Sequence, residues 1–440
     1  MRVLRKNSLD VLMHKIQRRS ARVGVIGLGY VGLPLAVAFA EAGFAVTGID
    51  VDGGKVAALK AGRNYIPDIP DRLVRDLVRA GKLKATQDFG VARKLDCLSI
   101  CVPTPLRKTR DPDISYIVHA TEELKKTLRA GQLIVLESTT YPGTTEELVL
   151  PQLQSAKFRA GKDFFLAFSP ERIDPGNPRF GLKNTPKIIG GITAACTQAG
   201  AALYRNVADK VITVSSSQTA EMVKLLENTF RAVNIGLVNE IAQICDKLKI
   251  NTWEVIDAAA SKPFGFMPFY PGPGLGGHCI PVDPHYLSWK LRSMNYTTRF
   301  IELASEINQE MPHYVFQKIQ SALNERKRAL KGARVLLLGV AYKKNVSDVR
   351  ESPAYEVAKL LEEAGAKVSY SDPHVPQWKT EGAGYRSQPL SGAALKNCDC
   401  AVILTDHQDF DYRRIVAQAP LIVDTRNATK GLPQKKVVRL

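Results

Sequence analysis

Short apolar runs alternate with helical patterns through the first half of the chain. From Arg22 the order is strand, turn, helix, strand: "RVGVI", "GLGYVG", "LPLAVAFAEAG" and "FAVTGID". The strands are continuously apolar, as expected when helices cover both faces of a parallel sheet. More such strands follow at "LDCLSICV", "QLIVLEST" and "DFFLAFS", each running into a loop with proline, serine or threonine. They predict a first α/β domain over residues 21–212.

The period then changes. Ser215 to Ile250 has no proline and one glycine, and Met222, Leu225, Leu226, Val233, Leu237, Ile241 and Ile244 recur at helical spacing. Ser215 to Ser217 are candidate N-caps of a helix of roughly 30 residues, about 45 Å long. Such a helix usually bridges domains or subunits, and here it predicts a homodimer or higher oligomer. After a loop rich in proline and glycine, "TTRFIELASEINQEMPHYVFQKIQSALNE" restores the helical period, giving a central helical domain over 213–328. A second α/β domain over 329–440 repeats the opening plan. In it "GVAYKK" stands where "GLGYVG" stood, Asp372 takes the place of Asp50, and "CDCAVILT" and "LIVDTRN" supply further strands. The predicted fold class is α/β: two Rossmann-like, doubly wound domains joined by a central helical domain with a long helix. Residues 1–20 form a basic N-terminal extension, in which Leu9, Val11, Leu12 and Ile16 suggest a short helix packed on the body.

Composition narrows the function. A chain of 440 residues favours two or three domains, and 45% hydrophobic with 24% charged residues is typical of a folded soluble protein. Lys plus Arg outnumber Asp plus Glu by 61 to 43, a formal charge of +18, so anionic ligands are expected. The cations are scattered with no polycationic run, which fits a solvated basic surface, with phosphorylated small-molecule ligands explaining part of the charge and nucleic acid or a membrane surface as alternatives. No signal-type apolar run and no 18-residue apolar span occurs, and seven cysteines lack paired spacing. A cytoplasmic protein without disulfides is expected.

Gly27, Gly29 and Gly32 form G-x-G-x-x-G between a strand and a helix, the context that gives this pattern its meaning. The first glycine permits the turn, the second admits a pyrophosphate, and the third lets helix and strand pack. Asp50, 18 residues after Gly32, suits a ribose diol and would repel a 2′-phosphate, which favours NAD over NADP. Lys224 and Asn228 share a helix face, where an ammonium could stabilise an oxyanion. Cys97, Cys101, Cys245, Cys398 and Cys400 sit in strand or helix patterns and are expected in the core. Cys279 instead sits in "GLGGHCIPVDPH". His278, Cys279 and His285 lack zinc spacing, so no metal is expected. Residue chemistry alone leaves a nucleophile and a structural thiol both open.

A glycine cradle, Lys224 and Asn228 on a long helix, and a "GGHC" loop in that order resemble the UDP-glucose/GDP-mannose 6-dehydrogenase family from about residue 22 to 430. "KPFGFMPFYPGPGLGGHCIPVDPHYLSWK", "ESTTYPGTTEE" and "FSPERIDPGN" are most similar to its UDP-N-acetylglucosamine branch. The resemblance implies an NAD-dependent four-electron oxidation of a UDP-sugar C6 alcohol to the uronate. Cys279 would carry the thiohemiacetal and thioester, and Lys224 and Asn228 would steady the oxyanion. Thr140 and Asp283 would hold a water, with Glu171 as general base. The implied cofactor contacts are Gly27, Gly29, Tyr30, Val31, Gly32, Asp50, Lys55, Thr104, Thr140 and Arg350. The implied substrate contacts are Glu171, Arg172, Lys224, Asn228, Phe269, Tyr270, Gly274, Gly276, Lys343 and Arg426, the last two in a UDP-binding carboxyl-terminal domain. Two departures weaken UDP-glucose as substrate: Pro175 near the position of a second acid, and Lys262 and Pro263 where those enzymes carry an arginine. UDP-N-acetylgalactosamine and UDP-N-acetylmannosamine remain alternatives. A two-electron hydroxy-acid dehydrogenase and a non-enzymatic nucleotide- or nucleic-acid-binding protein are the rival classes.

Overall fold

The computed structural model describes residues 7–66, 69–107, 111–155, 158–174, 177, 179–277, 279–379 and 384–440. Pro175 and His278, singled out above, lie outside them. The chain divides into two compact units: Met1–Glu227 with His285–Asn295, and Asn228–Pro284 with Tyr296–Leu440. The long helix, Ser217–Leu248, belongs to the first unit through Glu227 and to the second from Asn228. The Ser216 hydroxyl caps it by accepting the Thr219 amide.

The first unit is built on eight strands: β1 (Arg22–Ile26), β2 (Ala45–Ile49), β3 (Leu83–Thr86), β4 (Cys97–Ile100), β5 (Leu133–Leu136), β6 (Phe165–Phe168), β7 (Lys187–Gly191) and β8 (Val211–Thr213). Their order is β3-β2-β1-β4-β5-β6-β7-β8. The first six are parallel in the 3-2-1-4-5-6 order of a dinucleotide fold, and β7 runs antiparallel to β6. β4, β5 and β6 are buried at every position, which explains their unbroken apolar runs. The amino-terminal helix Ser8–Gln17 joins this core: Leu12 and Ile16 are buried against the same cluster as Phe39 and Tyr204, and Lys15 pairs with Asp96 at 2.8 Å.

The second unit holds β9 (Arg334–Leu338), β10 (Lys367–Ser371), β13 (Cys400–Ile403), β14 (Ile422–Asp424) and β15 (Val437–Arg439) in one parallel sheet of order β10-β9-β13-β14-β15. A small antiparallel pair, β11 (Gln377–Lys379) and β12 (Gly384–Arg386), stands apart. Its helices include Thr252–Ala260, Arg299–Glu325, which has Pro312 inside it, and Pro353–Glu363. No helix among the described residues is long and apolar enough to cross a membrane.

Candidate active site

The glycine motif sits at the carboxyl edge of the first sheet, between β1 and the helix Gly32–Glu41. Gly27 has φ +88°, and a Cβ there would lie 2.5 Å from the Cys101 carbonyl oxygen. A Cβ on Gly32 would fall 1.8 Å from the Gly27 oxygen, so neither position accepts a side chain. Gly29 is different: its Cβ direction meets nothing within 4 Å. That open approach is what a pyrophosphate requires. Asp50 ends the cradle. It accepts the Leu28 amide at 2.7 Å and the Asp52 amide at 2.9 Å, with Lys55 at 3.6 Å, and each oxygen retains acceptor capacity for a ribose hydroxyl. Tyr30 is exposed and Val31 half-buried at the helix start. The residues present therefore fit NAD.

A buried acid–lysine cluster lies along the same sheet edge. Glu137 follows β5, Glu171 follows β6, and Lys187 opens β7. Because β7 is antiparallel, its first residue reaches the end where parallel strands finish: the register Phe168↔Gly190, continued three residues, sets Lys187 level with Glu171. Lys187 Nζ lies 2.6 Å from Glu137 Oε2 and 3.1 Å from Glu171 Oε2, and 5.4 Å from the centre of the Tyr204 ring. The Tyr204 hydroxyl donates to Glu137 Oε1, so Ser99, 3.0 Å away, must donate to Tyr204. Glu171 Oε1 accepts the Arg172 and Ile173 amides at 2.9 and 2.7 Å. Burial would raise the Glu171 carboxyl, but Lys187, the Ile173 amide and Lys224 outweigh it and hold it below its ordinary value. Burial lifts Glu137 above its own, with Lys187 opposing.

Thr140 and Lys224 are buried in the same unit. Thr144 spends its proton on the Tyr141 carbonyl at 2.8 Å. In the 2.6 Å contact between the two hydroxyls Thr140 is therefore the donor, and its remaining function is to accept. Thr104 is held through its carbonyl, which accepts the Tyr286 hydroxyl at 2.5 Å. Arg172 is occupied: its guanidinium pairs with Glu227 at 2.5 Å and donates to the Pro186 carbonyl at 2.6 Å. Those bonds fasten the Glu171 loop to the long helix.

The second unit carries the cysteine turn. The Cys279 carbonyl accepts the Val282 and Asp283 amides at 3.0 and 2.7 Å, and Asp283 opens the helix Asp283–Arg292. The Asn228 side chain donates to Asp283 Oδ2 at 2.5 Å, both residues being buried. Cys279 is half-buried, whereas the other six cysteines are buried; burial pushes the Cys97, Cys101, Cys398 and Cys400 thiols above their ordinary value. The glycines before Cys279 serve packing. A Cβ on Gly272 would meet Arg426 Nη1 at 2.5 Å, and one on Gly276 would meet Tyr342 at 2.7 Å; the Gly274 Cβ direction faces Pro353. Gly277 donates to the Arg350 carbonyl at 3.0 Å. Phe269 packs edge-on against Phe230, and Tyr270 stacks on Trp253. Arg426 is half-buried, and burial lowers its pKa, with Asp406 and Asp424 opposing. Lys343 is half-buried, while Arg350 is exposed and forks onto Asp348 at 2.6 Å.

Sequence reasoning missed Glu137, Lys187, Tyr204 and Glu221. The available signals were a lysine opening the apolar run "KIIGG" and a glutamate closing "LIVLE". Glu221 accepts the amides of Gly143 and Thr145 at 2.5 and 2.9 Å, fixing the turn after Thr140, and burial lifts its carboxyl to about 7.

These are the working parts of a dinucleotide-dependent dehydrogenase. Residues 21–208 match the UDP-glucose/GDP-mannose dehydrogenase family NAD binding domain, 218–310 its central domain and 336–431 its UDP binding domain. The UDP-N-acetyl-D-mannosamine dehydrogenase of Methanococcus maripaludis is 37% identical over 397 residues, covering 88% of this chain and 87% of its own. The UDP-N-acetyl-D-glucosamine 6-dehydrogenase of Pseudomonas aeruginosa is 36% identical over 359 residues, covering 81% and 84%. A solved UDP-D-ManNAc dehydrogenase structure from Pyrococcus horikoshii superposes with TM-score 0.85 at 32% identity, covering 95% of this chain and 98% of that one. The chain belongs to the UDP-glucose/GDP-mannose dehydrogenase family and is an NAD-dependent UDP-sugar 6-dehydrogenase.

Proposed function

We propose that the substrate is UDP-N-acetyl-D-glucosamine, oxidised at C6 to the uronate through a covalent intermediate on Cys279, for surface polysaccharide synthesis. The observation that carries this reading is the bonded turn of Cys279, whose Asp283 is joined to Asn228, one helical turn beyond Lys224. Bound NAD supplies the hydride acceptor, and two in succession account for four electrons. Gly27, Gly29, Gly32 and Asp50 would hold it. The Cys279 thiolate adds to the C6 aldehyde, so the aldehyde cannot escape before the second oxidation, and Lys224 and Asn228 stabilise the oxygen that becomes negative. In hydrolysis, water bonds to the thioester carbon, Glu171 takes the proton, and the carbon–sulfur bond breaks to return the thiolate. Lys343 and Arg426 suit the diphosphate as cations.

The choice of sugar rests on the segments around residues 137–147, 168–177 and 262–290; the N-acetylmannosamine name of a relative makes that epimer the alternative. The long helix exposes Leu226, Phe230, Leu237, Ile244 and Leu248, and Phe300 and Leu303 are also exposed, which supports a homodimer. None of the seven cysteines forms a disulfide, which suits the cytoplasm. The test is a panel of UDP-glucose and the three UDP-N-acetylhexosamines, read by NADH absorbance. About two NADH per UDP-N-acetylglucosamine, and none of the acid from Cys279→Ala, is expected. A faster UDP-N-acetylmannosamine reaction would move the assignment to that epimer.

A further inference from the structure

Lys187 has no part in the reaction as written, yet its side chain is 6% exposed and lies between two buried carboxylates. Resting on the proposed hydrolysis through Glu171, we propose that Lys187 is a positioning residue: it clamps Glu171 as an anion in one orientation, with Glu137 and Tyr204 as its anchor. Its ammonium bridges the two carboxylates, and its antiparallel strand sets it level with Glu171.

The geometry separates anchor from working end. Glu137, with a side chain 0% exposed, receives Lys187 on Oε2 and Tyr204 on Oε1, and Tyr204 is fixed in turn by Ser99, whereas the Glu171 side chain is 11% exposed. Glu171 Oε1 is held by two amides, and Oε2 accepts from Lys187 at 3.1 Å, which leaves Oε2 a lone pair for a water proton. The groups facing this cluster are Lys187 on β7, Glu137 after β5, Cys101 after β4, Tyr204 on the helix Ala194–Tyr204 and Lys224 on the long helix. Two acids and two ammonium groups thus balance in a buried space. Removing Lys187 leaves two carboxylates with Lys224 alone, and like charges without a bridging cation disfavour ionisation of both.

The test follows deacylation of Cys279 against pH, by rapid quench and intact mass, with infrared titration of the Glu171 band identified by difference against Glu171→Gln. Lys187→Met is expected to move the acid limb of deacylation upward by about one pH unit or more. KM for the UDP-sugar should stay within about twofold while kcat falls. Lys187→Arg should restore the limb. Glu137→Gln should move the limb the opposite way or leave it, because it removes the competing anion while Lys187 remains. A limb unmoved in Lys187→Met, or raised in Glu137→Gln, overturns the proposal. If Lys187→Met does not fold, Glu137→Gln alone decides by that sign. Failure of the hydrolysis reading looks different: wild type then accumulates no acyl-Cys279, and the infrared titration still shows whether Lys187 controls Glu171.

Discussion

Gly27 and Gly339 close the first strands of the two sheets with φ +88° and +79°, and for the same cause: a Cβ would strike the Cys101 carbonyl oxygen at 2.5 Å in one and the Thr405 carbonyl oxygen at 2.6 Å in the other. Beyond that turn the two folds part. Gly29 and Gly32 have Ala341 and Lys344 as counterparts, and the helix that begins at Gly32 in the first fold begins at Pro353 in the second. Asp50 keeps acceptor capacity for a ribose. Asp372 does not, because its oxygens take the amides of Val340, Ala341, His374 and Val375, and His407 Nε2 lies 3.1 Å away. The same strand-end acid keeps room for a ligand in one sheet and is an internal brace in the other. A shared plan therefore predicts the fold, while the occupants of one carboxylate decide the chemistry.

The contrast can be broken most sharply at the brace. Asp372→Ala leaves four amides and a buried His407 unsatisfied, a loss on the order of 4 kcal/mol. Calorimetry should show the second unit melting early while NADH affinity in the first is unchanged. Gly32→Ala drives a Cβ into backbone at a cost of about 3 kcal/mol, expected as a loss of NADH binding of about 100-fold. Lys344→Gly should leave NADH titration fluorescence unchanged.

The third effect is one of pH. Glu221 is an acid raised in the fold to about 7 from an ordinary 4.5, so its contribution is complete below pH 4.5 and is lost as pH rises through about 7. The whole change is about 3 kcal/mol, and Glu221→Gln should flatten it in urea titrations of the first unit. Asp372 has the opposite sign. Burial would raise it, but His407 and the backbone amides hold it below 3.8, so its contribution is present above that value and fades only as pH falls below it. Between pH 5 and 8 only the first unit should soften through these two acids; an equal slope in both would refute this assignment. The smallest effect is Asp50→Asn, weakening NAD about 10-fold with little change in melting, and narrowing the preference over NADP.

Much of this was legible wherever meaning is local. Gly27, Gly29, Gly32 and Asp50 work within one strand–turn–helix–strand unit, and the long helix declares itself by period. Cys279 stood out as a cysteine in a glycine loop. Lys187 was not legible, because its partners lie 50 and 16 residues away and the antiparallel run of β7 that aligns them has no signature in "KIIGG". The missing side chains of Gly272 and Gly276 admit Arg426 and Tyr342, a close approach of distant segments that spacing does not encode. The pairing of Arg172 with Glu227, 55 residues away, is likewise not encoded by spacing.

The amino-terminal helix bears on how the protein is handled. A boundary drawn at residue 20 invites its removal for expression, yet Leu12 and Ile16 cover the core that contains Tyr204, whose hydroxyl braces Glu137. Trimming there would open a side entrance for water behind the acid–lysine cluster. A tag is better attached ahead of Ser8 on a spacer, because Leu440 is itself buried in the core of the second unit.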